Sequence, residues 1–167
     1  MAENLEYCKN TLAHIMKFFA GYITASIRIY GDKTMNILAI TPGREMGKDL
    51  GERLDRASTV QKALEILSDG MGEGWKIELW KDSEQPELIT SEDGQETTYL
   101  NILDCPVRQM CNYTSLEMGA AACNLAHAYI AMGLETILER KIKLKLETPG
   151  PNACKMILSI AEDTTEQ

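Results

Sequence analysis

Little in this chain of 167 residues is positively charged: 17 Lys and Arg stand against 25 Asp and Glu, for a net charge of −8. Nucleic-acid binding needs clustered cations against phosphate, so that class is excluded. The densest basic group, Arg140, Lys141, Lys143 and Lys145, reads as one face of a strand. Long hydrophobic runs are also missing. Every apolar stretch meets Lys, Arg or Glu well before the ~20 residues a membrane span requires. The opening MAENLEYCKN is polar and acidic, unlike a signal peptide, and a cytoplasmic location is expected. No Ser-His-Asp order, P-loop or dinucleotide fingerprint occurs. Aromatics are sparse, with only two Phe and two Trp.

What is present is sulfur. Nine methionines suit an adaptable core or pocket. Five cysteines in a reducing compartment are thiols or metal ligands before they are disulfides, and their odd number fits poorly with complete pairing.

With 44% hydrophobic residues the chain can bury one core, and a single domain over 1–167 is expected. Leu5, Leu12, Ile15, Met16, Phe19, Ile23 and Ile27 follow helical spacing over residues 3–30, with Gly21 as a kink point. A second helix is expected from about Thr34 to Leu54, with Pro42 as an alternative start. Ser58 is the expected cap of a third, carrying Val60, Leu64, Ile66 and Leu67. Residues 75–80 alternate as a strand, 81–95 read as an exposed loop, and 97–103 as a second strand. Residues 106–137 read as helix with a break at Gly119. Residues 141–147 and 155–160 form a closing hairpin. The expected fold is α+β: helices first, then an antiparallel sheet of about four strands packed against a helical layer.

The cysteine spacing C-x5-C-x11-C-x30-C is unlike paired zinc knuckles. On one unbroken helix Cys111 and Cys123 would stand roughly 18 Å apart along the axis. Only a break near Gly119 lets them share a site. A helix lying across the sheet brings Cys123 to Cys154, and Cys105 joins at the same sheet end. The candidate metal set is therefore Cys105, Cys123 and Cys154 with Cys111 as a fourth, and Cys8 outside. Zinc, an iron–sulfur centre or haem are the cofactors considered. Buried thiols that merely fill space are the alternative. His127, one turn after Cys123, can complete a Cys/His set.

The segments GREMGKDLGERL, STVQKALEILSDGMGEGWKIELW and GPNACKMIL, in that order over about residues 15–160, resemble the vinyl-4-reductase-like, hydrocarbon-binding domain family. The stretch from Cys105-Pro106 to Cys154 is also similar to aminothiazoline-carboxylate hydrolase-like proteins of anaerobes. The resemblance implies an α+β domain, often a homodimer, enclosing a small apolar ligand between helices and sheet. It also implies a structural zinc held by a helix cysteine and closing-hairpin cysteines, positions matched by Cys123 and Cys154. The cysteine expected on the preceding strand is absent, with Leu144 and Leu146 in that neighbourhood. Pro151 replaces the Asp of the closing motif.

The implied function is a sensor or carrier for an apolar or tetrapyrrole-like molecule. Phe18, Phe19, Tyr22, Tyr30, Trp75, Tyr113, Met118, Tyr129 and His127 are its candidate wall residues. The competing reading is a thiol- or metal-dependent hydrolase or reductase, for which Cys123 beside His127 is the candidate nucleophile–base pair. A third is a subunit of an assembly, since the fold also occurs in vesicle-tethering complexes.

Overall fold

Inward-facing Cys154, Met156, Leu158 and Ile160 alternate with half-buried residues along the last strand, and this stripe is the floor of the core. The computed structural model describes residues 2–80, 89–92, 95–114 and 116–161. The elements run α1 (Ala2–Tyr30), α2 (Asp32–Gly51), α3 (Val60–Met71), β1 (Lys76–Trp80), β2 (Ile89–Glu92), β3 (Gln95–Asp104), α4 (Pro106–Tyr113), α5 (Ala121–Leu138), β4 (Ile142–Thr148) and β5 (Cys154–Ala161). All strand pairs are antiparallel. The sheet order is β1-β3-β5-β4, and short β2 extends the β1 edge along the other end of β3. The class is α+β, with the helices first.

Thr98, Leu100 and Ile102 of β3, Ile77 of β1 and Ile142 of β4 join the β5 stripe on one face. Against them lie Val60, Ala63, Leu64 and Leu67 of α3, together with Ile130, Leu134 and Ile137 of α5. On the opposite face Trp80 and Tyr99 meet edge to face, and the Lys155 ammonium sits 3.9 Å from the Trp80 ring centre.

Several boundaries move from their sequence-based positions. α1 passes through Gly21 as one helix, and α2 starts at Asp32 and runs through Pro42. The cap of α3 is Thr59 rather than Ser58, its hydroxyl accepting the Lys62 N–H at 3.3 Å. The loop expected over 81–95 contains β2, while residues 81–88 and 93–94 lie outside the described set. The break at Gly119 is real: its φ is +85°, and α4 and α5 are separate helices. No helix among the described residues is long and apolar enough to cross a membrane.

α2 docks on α5 more extensively than any other two elements meet. Gly43, Gly47 and Gly51 form the contact stripe, where a Cβ on Gly47 would collide with the Tyr129 carbonyl and one on Gly51 would lie 2.6 Å from Thr136 Cβ. The Gly47-x3-Gly51 spacing, one helical turn, lets the two helix backbones approach this closely. α1 continues away from this core, so many of its apolar residues face solvent.

Candidate functional site

Four thiols meet where β3 and β5 end against the helices. Cys105 follows β3 and caps α4, its sulfur accepting the Arg108 N–H at 3.5 Å, with Pro106 in the first helical turn. Cys111 lies near the other end of that short helix. The chain then turns through Gly119, so Cys123 falls in the first turn of α5. Cys154 begins β5 and pairs with Ile102, three residues before Cys105. All four are buried free thiols, while Cys8 is exposed near the start of α1.

Within the group, Cys123 acts most strongly on Cys111, and Cys105 and Cys154 are near enough to act on it electrostatically. The Cys111 hydrogen bond, aided by the Gly119 N–H, draws Cys123 down to about 7 against the opposing effect of burial. Cys111 is correspondingly driven far up, first as the donor to Cys123 and then by burial. Burial also raises Cys105, against the N–H groups of Arg108 and Val107 and the nearby guanidinium. Arg108 is itself buried, and donates from Nη1 to the Ile102 carbonyl at 2.6 Å and from Nη2 to that of Leu103. A buried cation and two helix N-termini make the surroundings electropositive, which suits sulfur carrying negative charge.

A zinc or iron–sulfur centre needs three or four donors converging on one point. As the side chains stand, no three His, Cys, Asp or Glu among the described residues form a group able to hold a metal ion. The thiols share a neighbourhood without making a coordination shell.

Beside them opens a cavity of about 380 Å³. Phe19, Tyr22, Ile23, Ser26 and Tyr30 of α1 and Met35, Leu38, Ala39 and Pro42 of α2 form one side. Val107 and Met110 of α4 and Ala121, Ala122 and Leu125 of α5 form the other. Ser26, buried, is the single hydroxyl besides the tyrosines among these lining residues. Only helices wall the cavity among the described residues, so it does not lie between helices and sheet.

The cavity contains Phe19, Tyr22 and Tyr30 from the sequence-based set, and not the others. Phe18 is 81% exposed on the outer face of α1. Trp75 meets Tyr129 at a tilt of 53°, ring centres 6.2 Å apart, over the main core. Tyr113, 76% exposed, borders a different groove with Leu12 and Met16. Met118 is half-buried in the α4–α5 turn. His127 faces a third cleft with Arg44, Asn124, Lys143 and Lys145, and burial lowers it to about 4. The groups that act on Cys123 are Cys111, its burial and the Gly119 N–H, and His127 is not among them. The α2 residues and the Ala121-Ala122 wall went unread; their only signal is small or aliphatic residues left on helix faces the main core does not cover.

No family model matches the chain, the vinyl-4-reductase-like family included, and no curated protein does. Solved structures do share its fold. A trafficking protein particle complex subunit 3 from Naegleria fowleri, covalently bound to palmitic acid, superposes with a TM-score of 0.61 at 13% identity, over 92% of this chain and 97% of that one. The phenol-responsive sensory domain of the transcription activator PoxR, with phenol, gives 0.57 at 7% identity, over 93% of this chain and 76% of that one. At these identities the likeness is one of fold.

Proposed function

We propose that this chain is a binding module for a small apolar molecule, a sensor or carrier, held in the cavity between α1–α2 and α4–α5. The observation that carries the reading is the wall itself: apolar side chains from four helices around about 380 Å³, with the Ser26 hydroxyl and two tyrosines as polar anchors. That combination, a mostly apolar pocket with few polar groups, is what small-molecule sites generally show. Structures of the same fold hold palmitic acid and phenol, an acyl chain and a small aromatic. Both are ligand classes that such walls accept.

Isothermal titration of the full chain with palmitate and with phenol tests the proposal. Saturable 1:1 binding to at least one of them is expected. Ala39→Phe, which fills the cavity from α2, should weaken binding by roughly tenfold or more, since lost burial and a clash act together. Absence of binding to either ligand overturns the reading.

The module works as a homodimer in this proposal. Ile15, Phe18, Tyr22, Ile29, Ile37 and Leu38 are each more than half exposed on α1 and α2. Tyr22 and Leu38 among them line the cavity, and exposed apolar side chains along two helices mark an interface. In this proposal a second copy covers these side chains, including Tyr22 and Leu38 at the cavity, and a stable association of that kind needs ~800 Å² per partner. Light scattering should give twice the chain mass, and Phe18→Glu should reduce it to one. A monomeric wild type refutes the dimer.

A further inference from the structure

We propose that the open edge of β4 is a docking strand for an extended acidic segment of a partner protein, which joins the sheet and lies in the cleft between β4, α2 and α5. That cleft shares no lining residue with the ligand cavity, and the proposal does not rest on the cavity reading.

β4 pairs with β5 along one side and with no other strand among the described residues. Two hydrogen bonds fix the direction of its backbone groups. The Lys141 carbonyl accepts from the Ala161 N–H at 3.0 Å, so that position points at β5. The Ile142 N–H turns the other way and donates to a Glu135 carboxylate oxygen at 3.2 Å. Alternation then turns the N–H and C=O groups of Lys143 and Lys145 toward β5, and those of Leu144 and Leu146 to the open edge. An edge of this kind is a template for another strand. A cleft of about 530 Å³ runs beside it, lined by every residue from Ile142 to Leu146. Strand side chains alternate between faces, so five consecutive residues line one cleft only where it follows the strand's edge. Its other wall is Ile40 and Arg44 of α2 with Asn124, His127, Ala128 and Ala131 of α5.

Charge selects the occupant. In a chain of net charge −8, Arg44, Lys143 and Lys145 line this cleft, and no carboxylate does among the described residues. Glu135 stands at the Ile142 end, already engaged with Arg44 at 3.7 Å and Lys141 at 2.9 Å as well as with the Ile142 N–H. The first N–H of the open edge thus already takes a carboxylate. A second copy pairing β4 against β4 would set lysines beside lysines, and like charges across strands are destabilising. An acidic segment reverses the sign of those contacts, while lysines on an edge keep indiscriminate pairing away. Strand addition of this kind draws affinity from main-chain hydrogen bonds and specificity from alternate side chains. The added segment carries Asp or Glu beside Lys143 and Lys145, and apolar residues at the alternate positions, toward Ile40, Ala128 and Ala131.

The probe is a fluorescein-labelled octapeptide of alternating Glu and Val, added to the full chain and followed by fluorescence anisotropy. Saturable binding is expected, weakening as salt rises because exposed charges are screened. A Lys–Val octapeptide should not bind. Of two Glu–Val peptides N-methylated on alternate residues, the one whose methyl groups face β4 should lose binding, and the other should keep it. Lys143→Glu with Lys145→Glu, both at exposed positions, should lower affinity by about tenfold or more with an unchanged circular dichroism spectrum. Phe18→Glu, on α1, should bind the peptide as the wild type does. No binding of the Glu–Val peptide, equal binding of the Lys–Val peptide, full binding of both N-methylated peptides, or undiminished affinity in the double-lysine variant overturns the proposal. Self-association abolished by the double-lysine variant instead of Phe18→Glu would make a second copy the occupant, and overturns it too. Failure to bind palmitate or phenol defeats the cavity reading alone, because the peptide is scored without either.

Discussion

Gly47→Ala will cost the fold about 3 kcal/mol or more, lowering the melting temperature by roughly 10 °C for a chain of this size. The added methyl collides with the Tyr129 carbonyl and lies 3.0 Å from the Tyr129 carbonyl carbon and 3.1 Å from the Gly133 nitrogen. These are backbone atoms of a buried helix, so no rotamer change relieves the clash and α2 must move off α5. Because α2 carries Met35, Leu38, Ala39 and Pro42 of the cavity, ligand binding falls with stability. Gly21→Ala is the control. Nothing lies within 4 Å of a Cβ there, so an alanine in mid-helix should stabilise by about 0.5–1 kcal/mol. Thermal and urea unfolding of both variants check the pair. A Gly47→Ala protein as stable as the wild type would mean the two helices are not in the contact described.

The sheet was readable because alternation survives in sequence: Ile142, Leu144 and Leu146 in β4, then Met156, Leu158 and Ile160 in β5, point one way whatever they pack against. The break that puts Cys111 and Cys123 on separate helices was readable at Gly119, since a glycine between two helical runs marks where the backbone can take positive φ. The cavity was not readable. Its wall depends on how far apart α1 and α4 stand once α2 is seated on α5, a tertiary distance that no periodicity encodes. Aromatic side chains therefore misled: Trp75 and Tyr129 found each other over the core, and Tyr113 turned outward. His127 shows the same limit at closer range. It lies one turn from Cys123, but the neighbour of α5 changes over that turn from α4 to β4 and α2, so the two side chains meet different surroundings.

That placement of His127 makes acid stability the second large expected effect. Burial favours its neutral form and lowers it from 6.5 to about 4. In the unfolded chain the imidazole takes a proton at its ordinary value, so below pH 6.5 the unfolded state binds more protons than the folded one. The histidine's penalty is thus absent above pH 6.5, grows as pH falls, and levels off near pH 4 at about 3 kcal/mol, one unit being about 1.4 kcal/mol. The charged groups facing the cleft are Arg44 of α2 and Lys143 and Lys145 of β4, all cationic, and none of them favours a second positive charge there. Arg44 is further engaged with Glu135 at 3.7 Å. His127→Gln removes the titrating ring, and its denaturant midpoint should fall less than the wild type's between pH 7 and 4.5, with other acidic groups titrating equally in both. Parallel pH profiles for the two proteins would show that His127 is solvated, and that the cleft between α2, α5 and β4 is open rather than closed over the ring.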